Sequence, residues 1–417
     1  MTPTAARDAA NFAIPVNEIR AHFPALVRRE GALPVAYFDG PGGTQVPLTV
    51  ADAVRSYLLE HNANTHWAYP TSIETDNLLA EARDVFSDFL RATPADISFG
   101  NNMTTITMHV ARGLARGWKK GDEIVVTELD HHANVAPWHA VARDNGFVIR
   151  TVRLDTKTFR TDFDDLARQL GPRTRLLAIG AASNALGTVT DVARATAMAH
   201  EHGALAYVDA VHFAPHNLVD VGAIGCDFLA CSAYKFYGPH VGVLFAKHDI
   251  AQSLDVPRLD PAPADAPERL ETGTQNHEGI VGAAEAVMYL GTVARGGASR
   301  RERLSRAFAA FHARGEALLT QLWEGLAGIN GVTLYGPEPG TPRTPTVAFT
   351  LAGHSTEAVA RHLAQRGVYV SNGDFYAATV SERLGCGDDG FVRAGAACYT
   401  TPDEVGRLVE GVRNLAQ

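Results

Sequence analysis

Lys235 and Asp209 are the residues of this sequence whose types and positions most directly indicate chemistry. Asp209 ends the apolar run Ala-Leu-Ala-Tyr-Val-Asp, and Lys235 follows a second apolar run within Ser-Ala-Tyr-Lys-Phe-Tyr-Gly-Pro. A lysine at the mouth of a buried segment can lose its proton and form an imine with an aldehyde, and a carboxylate can hold a nearby ring nitrogen protonated. These are the two anchors that pyridoxal 5′-phosphate (PLP) requires, so the pair predicts a PLP site.

A phosphate site is predicted in Gly-Asn-Asn-Met-Thr-Thr (100–105), which follows an expected strand and begins an expected helix. The free N–H groups of a helix N-terminus suit a phosphate, although Asn and Thr are also ordinary helix caps. The expected contributors are Asn102, Met103 and Thr104, with further hydroxyls from Ser232 and Thr274.

The segment Glu-Leu-Asp-His-His-Ala-Asn-Val-Ala-Pro-Trp (128–138) places His131 directly after an expected strand. A neutral imidazole there could stack on a flat cofactor ring or relay a proton, and a solvated loop histidine is the alternative interpretation. A metal site would use Asp130, His131, His132, His212 and His216. We do not favour a metal site because no zinc-protease spacing occurs, and the last two histidines fall in a proline-containing loop.

These motifs stand at the ends of expected strands. From about residue 96 to 246, short apolar runs alternate with amphipathic stretches, which is typical of a mostly parallel sheet with helices on both faces. The expected strands are Ile97–Gly100, Glu123–Thr127, Val148–Leu154, Arg175–Gly180, Ala204–Asp209, Phe228–Ser232 and Val243–Ala246. Ligands of such sheets collect at the carboxyl ends of strands. Those ends carry Asn102, His131, Asn184, Asp209 and Ser232.

A chain of 417 residues is expected to form two domains. After a long helical region, the last 90 or so residues predict a smaller α+β unit whose strands include Val368–Ser371. We predict an N-terminal segment over 1–35 that packs on the small domain, a large PLP-binding domain over 36–295, and a small C-terminal domain over 296–417.

The composition excludes several classes of protein. The net charge of −9 arises from interspersed acidic and basic residues, so no basic surface for nucleic acid is expected. No apolar stretch is long enough to span a membrane, and the N-terminus lacks the pattern of a signal peptide. The four cysteines are too few and too irregularly spaced for a disulfide framework. We therefore expect a reduced, soluble, cytoplasmic protein.

The chain resembles the class V aminotransferase family nearly end to end, and within it the cysteine desulfurase and selenocysteine lyase branch. The matching motifs include Asp-His-His-Ala-Asn-Val-Ala-Pro-Trp, Ser-Asn-Ala-Leu-Gly-Thr, Val-Asp-Ala-Val-His, Tyr-Lys-Phe-Tyr-Gly-Pro and Val-Arg-Ala-Gly. The resemblance implies an α/β protein of the PLP-dependent transferase fold type I, with a mostly parallel seven-stranded sheet in the large domain and a smaller α+β C-terminal domain. It also implies a homodimer with the active site at the subunit interface.

The resemblance further implies roles for the matching residues. At the cofactor ring and the substrate these are Lys235 as the Schiff-base lysine, Asp209 as the pyridinium partner, His131 as the stacking residue and Arg393 as the ligand of the substrate carboxylate. Asn184 and His212 would lie near the phenolic oxygen of PLP. The phosphate ligands would be Thr104, Ser232 and, from the neighbouring subunit, Thr274. Tyr234 stands where desulfurases usually carry histidine, so its phosphate contact is less strongly implied.

One departure from the family pattern bears on function. Desulfurases carry a loop cysteine whose thiolate takes up sulfur as a persulfide, and the corresponding segment here, Ser-Asn-Gly-Asp-Phe-Tyr-Ala (371–377), has Tyr376 at that position. Neither Cys386 nor Cys398 fits the register of that loop. The leading hypothesis is therefore a C–S β-lyase that cleaves cysteine or a cysteine S-conjugate to thiol, pyruvate and ammonia.

Three alternatives stay open. The first is another class V reaction on an amino acid, namely transamination, epimerisation or decarboxylation. The second is a persulfide-forming desulfurase with an unidentified acceptor. The third is a non-catalytic, partner-binding protein, against which the presence of Lys235, Asp209 and Arg393 argues.

Overall fold

The structure, a computed structural model, describes residues 14–417. Its largest sheet has seven strands: β1 (Ile97–Gly100), β2 (Glu123–Thr127), β3 (Val148–Val152), β4 (Thr174–Gly180), β5 (Leu205–Asp209), β6 (Phe228–Ser232) and β7 (Gly242–Ala246). Each begins and ends within two residues of its predicted bounds. All but β3 are buried along most of their length, which explains their nearly continuous apolar sequences. Strand β3 lies at the edge of the sheet and is largely exposed.

The strand order in this sheet is β1-β7-β6-β5-β4-β2-β3. Strand β7 is antiparallel to both of its neighbours, β1 and β6, and the other six strands run in one direction. The carboxyl ends of these six strands therefore meet at one edge of the sheet. This arrangement confirms the predicted α/β class with a mostly parallel seven-stranded sheet.

Helices cover both faces of the large sheet and one face of a smaller sheet. They are α1 (Val16–Ala21), α2 (Leu48–Ser56), α3 (Pro70–Leu90), α4 (Met103–Ala115), α5 (Ala136–Asn145), α6 (Phe163–Gln169), α7 (Val192–Glu201), α8 (Val221–Ile224), α9 (His248–Ser253), α10 (His277–Leu290), α11 (Arg300–Ala327), α12 (Thr356–Ala364), α13 (Ala378–Arg383) and α14 (Pro402–Leu415). Many begin at a side-chain cap. Ser299, for example, forms a capping box with Glu302 at the start of α11.

The second sheet has four antiparallel strands: β8 (Val332–Tyr335), β9 (Thr346–Leu351), β10 (Ser371–Gly373) and β11 (Phe391–Gly395), in the order β8-β9-β11-β10. The prediction of one strand over Val368–Ser371 is wrong. Val368–Tyr369 pairs in parallel with Ala36–Tyr37, and the chain joins the four-stranded sheet only from Ser371. An apolar run predicts burial, but the pairing partner depends on which backbone lies alongside it.

The N-terminal helix α1 contacts both halves of the chain. Arg20 donates to the carbonyl of Tyr399 and pairs with Glu404, while Ile19 and Phe23 belong to the core beneath the large sheet. The division at 1–35, 36–295 and 296–417 stays a prediction, and the first thirteen residues of its N-terminal segment lie outside the described part. In residues 14–417, no helix is both long and apolar enough to cross a membrane.

Candidate active site

Two adjoining cavities lie at the carboxyl ends of the parallel strands. The inner cavity, of about 700 Å³, is lined by Asn102, Met103, Thr104, His131, Asn184, Asp209, His212, Ser232, Tyr234 and Lys235 among others. The outer cavity, of about 630 Å³, shares Lys235, Asn184 and His131 with the inner cavity and adds Arg393. The fold thus brings together all predicted site residues except Thr274.

Lys235 lies where the two cavities meet, at the end of a short helical turn that follows β6. Its side chain is buried, and Nζ donates to the carbonyl of Pro41. Burial, reinforced by the nearby charge of Arg393, lowers the pKa of Lys235 to about 7, because an ammonium group loses hydration there. A lysine with a pKa this low is readily available at neutral pH in its uncharged form, which acts as a nucleophile or a base.

Asp209 is buried at the end of β5, where Oδ1 accepts a hydrogen bond of 2.8 Å from the amide of Val211. Burial raises the pKa of Asp209 to about 6, and the charge of Lys235 opposes that rise. A buried carboxylate is stabilised by a cationic partner, and a protonated pyridine nitrogen would be one.

Asp130 is a second buried carboxyl at the wall of the inner cavity. Its Oδ1 accepts from the amide of Gly180 and the hydroxyl of Thr127, both at 2.9 Å, and its Oδ2 accepts from Asn134 Nδ2 at 2.9 Å. Burial, with a smaller contribution from Asp209, raises the pKa of Asp130 to about 7. Asp130, the residue directly before His131, thus fixes the turn after β2 to the end of β4.

His131 is held in one orientation by its own loop. Its Nδ1 accepts a hydrogen bond of 3.0 Å from the amide of Ala133, so the proton of the neutral ring is on Nε2. Burial, with the charges of Lys235 and Arg393, lowers the pKa of His131 to about 4. The ring is therefore neutral at pH 7, the form expected for stacking on a cofactor ring.

The predicted phosphate end of the site lies at the start of α4. The amide of Met103 donates to Ser232 Oγ at 3.0 Å, and Asn102 Oδ1 caps the helix by accepting from Thr105 N at 2.9 Å. Gly242 on β7 lies against this turn, because a Cβ at that position would be 2.6 Å from the carbonyl carbon of Asn102. Asn102 and Ser232 are predicted phosphate ligands, and their side chains also accept hydrogen bonds from backbone amides at the start of α4.

Arg393 projects from β11 into the outer cavity. Its Nη1 donates to the carbonyl of Asn184 at 2.9 Å, and its guanidinium carbon lies 3.8 Å from the ring centroid of Phe375. Burial lowers the pKa of Arg393 to about 9, so the group is still charged at pH 7. Among the described residues, nothing bonds to its buried Nε. This cation is therefore available to a carboxylate.

Asn184 and His212 also face the inner cavity. Asn184 Nδ2 donates to the carbonyl of Phe375 at 2.9 Å, and His212 Nε2 lies 3.0 Å from the hydroxyl of Thr344. Burial lowers the pKa of His212 well below its ordinary value. Within the described part of the chain, Asn184 Oδ1 and His212 Nδ1 are buried without hydrogen-bond partners.

Tyr234 and Thr274 differ in their placement. The ring of Tyr234 lines both cavities and stacks on His240, with centroids 5.0 Å apart. Thr274 lines a third cavity, of about 450 Å³, together with His66 and Trp67, away from Lys235. The expectation that Thr274 acts in the neighbouring subunit stays a prediction.

Residues 36–408 match the sequence model of the family described as Aminotransferase class-V. The chain belongs to this family. Its relatives include cysteine desulfurases of Dickeya dadantii, 31% identical over 96% of this chain and 97% of the relative, and of Enterobacter sp., 32% identical over 97% and 99%. Solved structures with the same fold include cysteine desulfurases from Thermococcus onnurineus and Escherichia coli. Each is 27% identical, with TM-scores of 0.86 and 0.84, covering 96% and 97% of this chain and 98% of the other chain.

These comparisons confirm the predicted fold type I. They also identify the chain as a cysteine desulfurase-like member of a PLP-dependent family. The inner cavity of this class V chain fits PLP, because Asn184 Oδ1 and His212 Nδ1 are buried at its wall without hydrogen-bond partners, and the polar groups of PLP would supply partners there. Lys235, Asp209 and His131 would hold the ring, and the N-terminus of α4 would face the phosphate.

Sequence reasoning missed some residues of the site. Asp130 was considered only as a metal ligand, and neither Pro41 nor His240 was considered. A signal existed for Pro41, since it lies in Tyr-Phe-Asp-Gly-Pro-Gly-Gly-Thr, one end of the family resemblance. In residues 14–417, no group of three or more His, Cys, Asp or Glu side chains could hold a metal ion.

The cysteines of this class V chain lie away from both cavities. In the described part of the chain, none of Cys226, Cys231, Cys386 and Cys398 lines either cavity, and burial raises the pKa of each thiol. Tyr376, in contrast, lines the outer cavity with 72% of its surface exposed.

Proposed function

We propose that this chain is a PLP-dependent C–S β-lyase that cleaves cysteine or a cysteine S-conjugate into a thiol, pyruvate and ammonia. The observation that carries the proposal is the composition of the outer cavity. Tyr376 lies on its wall, and no cysteine of the described chain does. A phenol cannot accept sulfur as a persulfide, whereas β-elimination with PLP requires from the protein a base and a site for the substrate carboxylate, and no cysteine.

Arg393 and Lys235 would carry the two essential contacts. The Arg393 guanidinium would bind the α-carboxylate, since it is buried, charged and has an unused Nε. PLP, when bound, supplies an electron sink for negative charge on the α-carbon. Lys235 Nζ would take the α-proton, because burial keeps its pKa near neutral. The Cβ–S bond breaks with its electron pair on sulfur, and water then yields pyruvate and ammonia.

The proposal includes a homodimer in which Thr274 completes the phosphate site of the other subunit. Thr274 lies apart from Lys235 in its own chain and lines the third cavity together with the exposed Trp67, and Leu59 and Tyr69, which are close to Trp67 in sequence, are also exposed. Exposed apolar groups of this kind favour association. Light scattering should give twice the chain mass. A monomer that retains PLP would contradict this part of the proposal.

The test is a product assay on the PLP-loaded protein in deuterated water, with cysteine and S-alkylcysteines as substrates. Pyruvate and thiol are expected in equal amounts. Lys235→Ala should abolish both. Lys247→Ala is the matched control, because Lys247 pairs with Asp227 at the opposite end of β6 from Lys235.

Three other outcomes would contradict elimination. Recovered amino acid that carries deuterium at the α-carbon, without keto acid, would indicate epimerisation. A keto acid that retains sulfur would indicate transamination, and a persulfide on the protein would indicate a desulfurase.

A further inference from the structure

The lining of the outer cavity contains two chemically different groups of residues. Arg393, Asn184, Ser371 and Asn372 suit the carboxylate and amine of an amino acid. Met108, Ala133, Ala136, Pro137 and Tyr376 offer apolar surface, and we call them the apolar wall, although Thr104, His131 and His132 line the cavity from the same segments. Free cysteine has no group beyond its thiol that could use this apolar surface.

The apolar wall is built on fixed backbone. Met108 is on α4, and Ala136 and Pro137 form the first turn of α5, where small side chains leave the space open. Tyr376 is held by hydrogen bonds from His132 N to its carbonyl and from its own amide to Asp374 Oδ1, at 2.8 and 2.9 Å. The wall is therefore a feature of the folded chain and does not depend on a ligand.

The backbone of Tyr376 shows that its position is imposed by tertiary contacts. Phe375 and Tyr376 have φ values of +58° and +57°, the left-handed region that non-glycine residues seldom adopt. Such strain persists only where surrounding contacts hold it, and it is concentrated at functional sites. Asn184, which donates to the Phe375 carbonyl, supplies one of these contacts from the floor of the site.

The charged residues of the outer cavity indicate which substituents on sulfur it favours. Lys235 and Arg393 line it, and among the described residues no aspartate or glutamate does. A substituent that carries an ammonium group would therefore meet no carboxylate of the cavity lining to pair with. A neutral, apolar substituent meets the wall without an electrostatic cost.

We propose that the apolar wall is a subsite for a neutral aromatic or long alkyl group on the sulfur of the substrate, so that the preferred substrate is an S-aryl- or S-alkylcysteine rather than free cysteine. This inference rests on the proposed function and names its substrate class. The volume of the outer cavity, about 630 Å³, lies within the range of about 300–1,000 Å³ that is typical of sites for larger ligands.

The test uses α-methyl analogues, which have no α-proton and cannot undergo elimination, so that binding is measured apart from chemistry. Affinities of the PLP-loaded protein are measured calorimetrically for S-benzyl-, S-methyl- and S-(2-aminoethyl)-α-methylcysteine. We expect the benzyl analogue to bind about tenfold more tightly than the methyl analogue, and the aminoethyl analogue to bind more weakly than either.

Ala136→Phe, which fills the space in front of the wall, should reduce the benzyl-to-methyl ratio of affinities to about one or below. Ala140→Phe is the matched control, because it adds the same side chain one turn later on α5, outside the lining of either cavity. It should leave the ratio unchanged. The visible absorbance band of bound PLP and the thermal midpoint of unfolding verify that each variant is folded and loaded.

The outcomes separate this inference from the proposed function. A tenfold ratio that Ala136→Phe removes supports the subsite even if S-benzylcysteine yields no pyruvate, a result that would overturn only the lyase proposal. Equal affinities for the benzyl and methyl analogues would overturn the subsite, whether or not pyruvate and thiol are released. A ratio that Ala136→Phe does not change would also overturn it.

Discussion

Replacing Lys235 with methionine should remove a cost to folding that depends on pH. In the folded chain, burial lowers the pKa of this lysine from 10.5 to about 7. A difference of that size corresponds to about 5 kcal/mol against the protonated form. Because the folded state binds fewer protons than the unfolded state between pH 7 and 10.5, stability from this group rises with pH across that window. The cost is nearly complete at pH 7, and about 2 kcal/mol remains at pH 9.

Other buried groups titrate at lower pH. The raised pKa values of Asp209 and Asp130, about 6 and about 7, favour the folded state at low pH, and this contribution is lost as the pH rises through those values. Above pH 8 both carboxyls are ionised in the folded and unfolded states alike. Both proteins of the comparison carry the same carboxyls and thiols, so the difference in stability between wild type and Lys235→Met reports mainly on Lys235.

The assay is urea unfolding of the PLP-free protein and of Lys235→Met at pH 7, 8 and 9, at one protomer concentration. The stability advantage of Lys235→Met should fall by about 2 kcal/mol between pH 7 and pH 9. Lys120→Met, the same substitution at an exposed site, is the control and should show no pH-dependent difference. If the difference in the free energy of unfolding between wild type and Lys235→Met were constant with pH, the inference that burial lowers the pKa of Lys235 would be refuted.

Three further predictions concern the rest of the site. Gly242→Ala should weaken PLP binding at least tenfold in a fluorescence titration, because the new methyl would displace the backbone of Asn102 at the phosphate end. Asp130→Asn should lower the free energy of unfolding by about 1–3 kcal/mol in urea, since its new amide would face the donor Nδ2 of Asn134; an unchanged urea midpoint would contradict this. Arg393→Lys should lower kcat/KM for S-methylcysteine about 100-fold, because a lysine loses the paired geometry of the guanidinium; retention within threefold would exclude Arg393 as the carboxylate ligand.

The sequence predicted the main sheet closely because all of its strands except the exposed edge strand β3 are mainly apolar runs bounded by polar or glycine residues. Burial on both faces forces that pattern, so β1 (Ile97–Gly100), β2 (Glu123–Thr127) and β6 (Phe228–Ser232) agree with their predicted bounds. The failure at Val368–Ser371 has the same origin. Val368 is buried and the next three residues are half-buried, which the mostly apolar pattern predicts, but the pattern contains no information about which strand lies beside them.

The site was predictable to the extent that it depends on strand ends. Asp209 and Lys235 were placed together because parallel strands deliver their carboxyl ends to one edge of the sheet. Asp130 was misinterpreted because its role lies in three hydrogen bonds to groups on β2, β4 and the following turn. Contacts between distant segments leave no local pattern in the sequence.

By itself, the amino-acid sequence determined the family, the α/β class and the residue types that gather at the sheet edge. Only the tertiary structure decided the environment of those groups. Contacts between segments that are separated in the chain bury Lys235 and so bring its pKa to about 7. Such contacts also place Arg393 over the Phe375 ring and assemble the apolar wall. Desolvation, cavity shape and imposed backbone conformation depend on how those segments pack, and packing is a property of the whole fold.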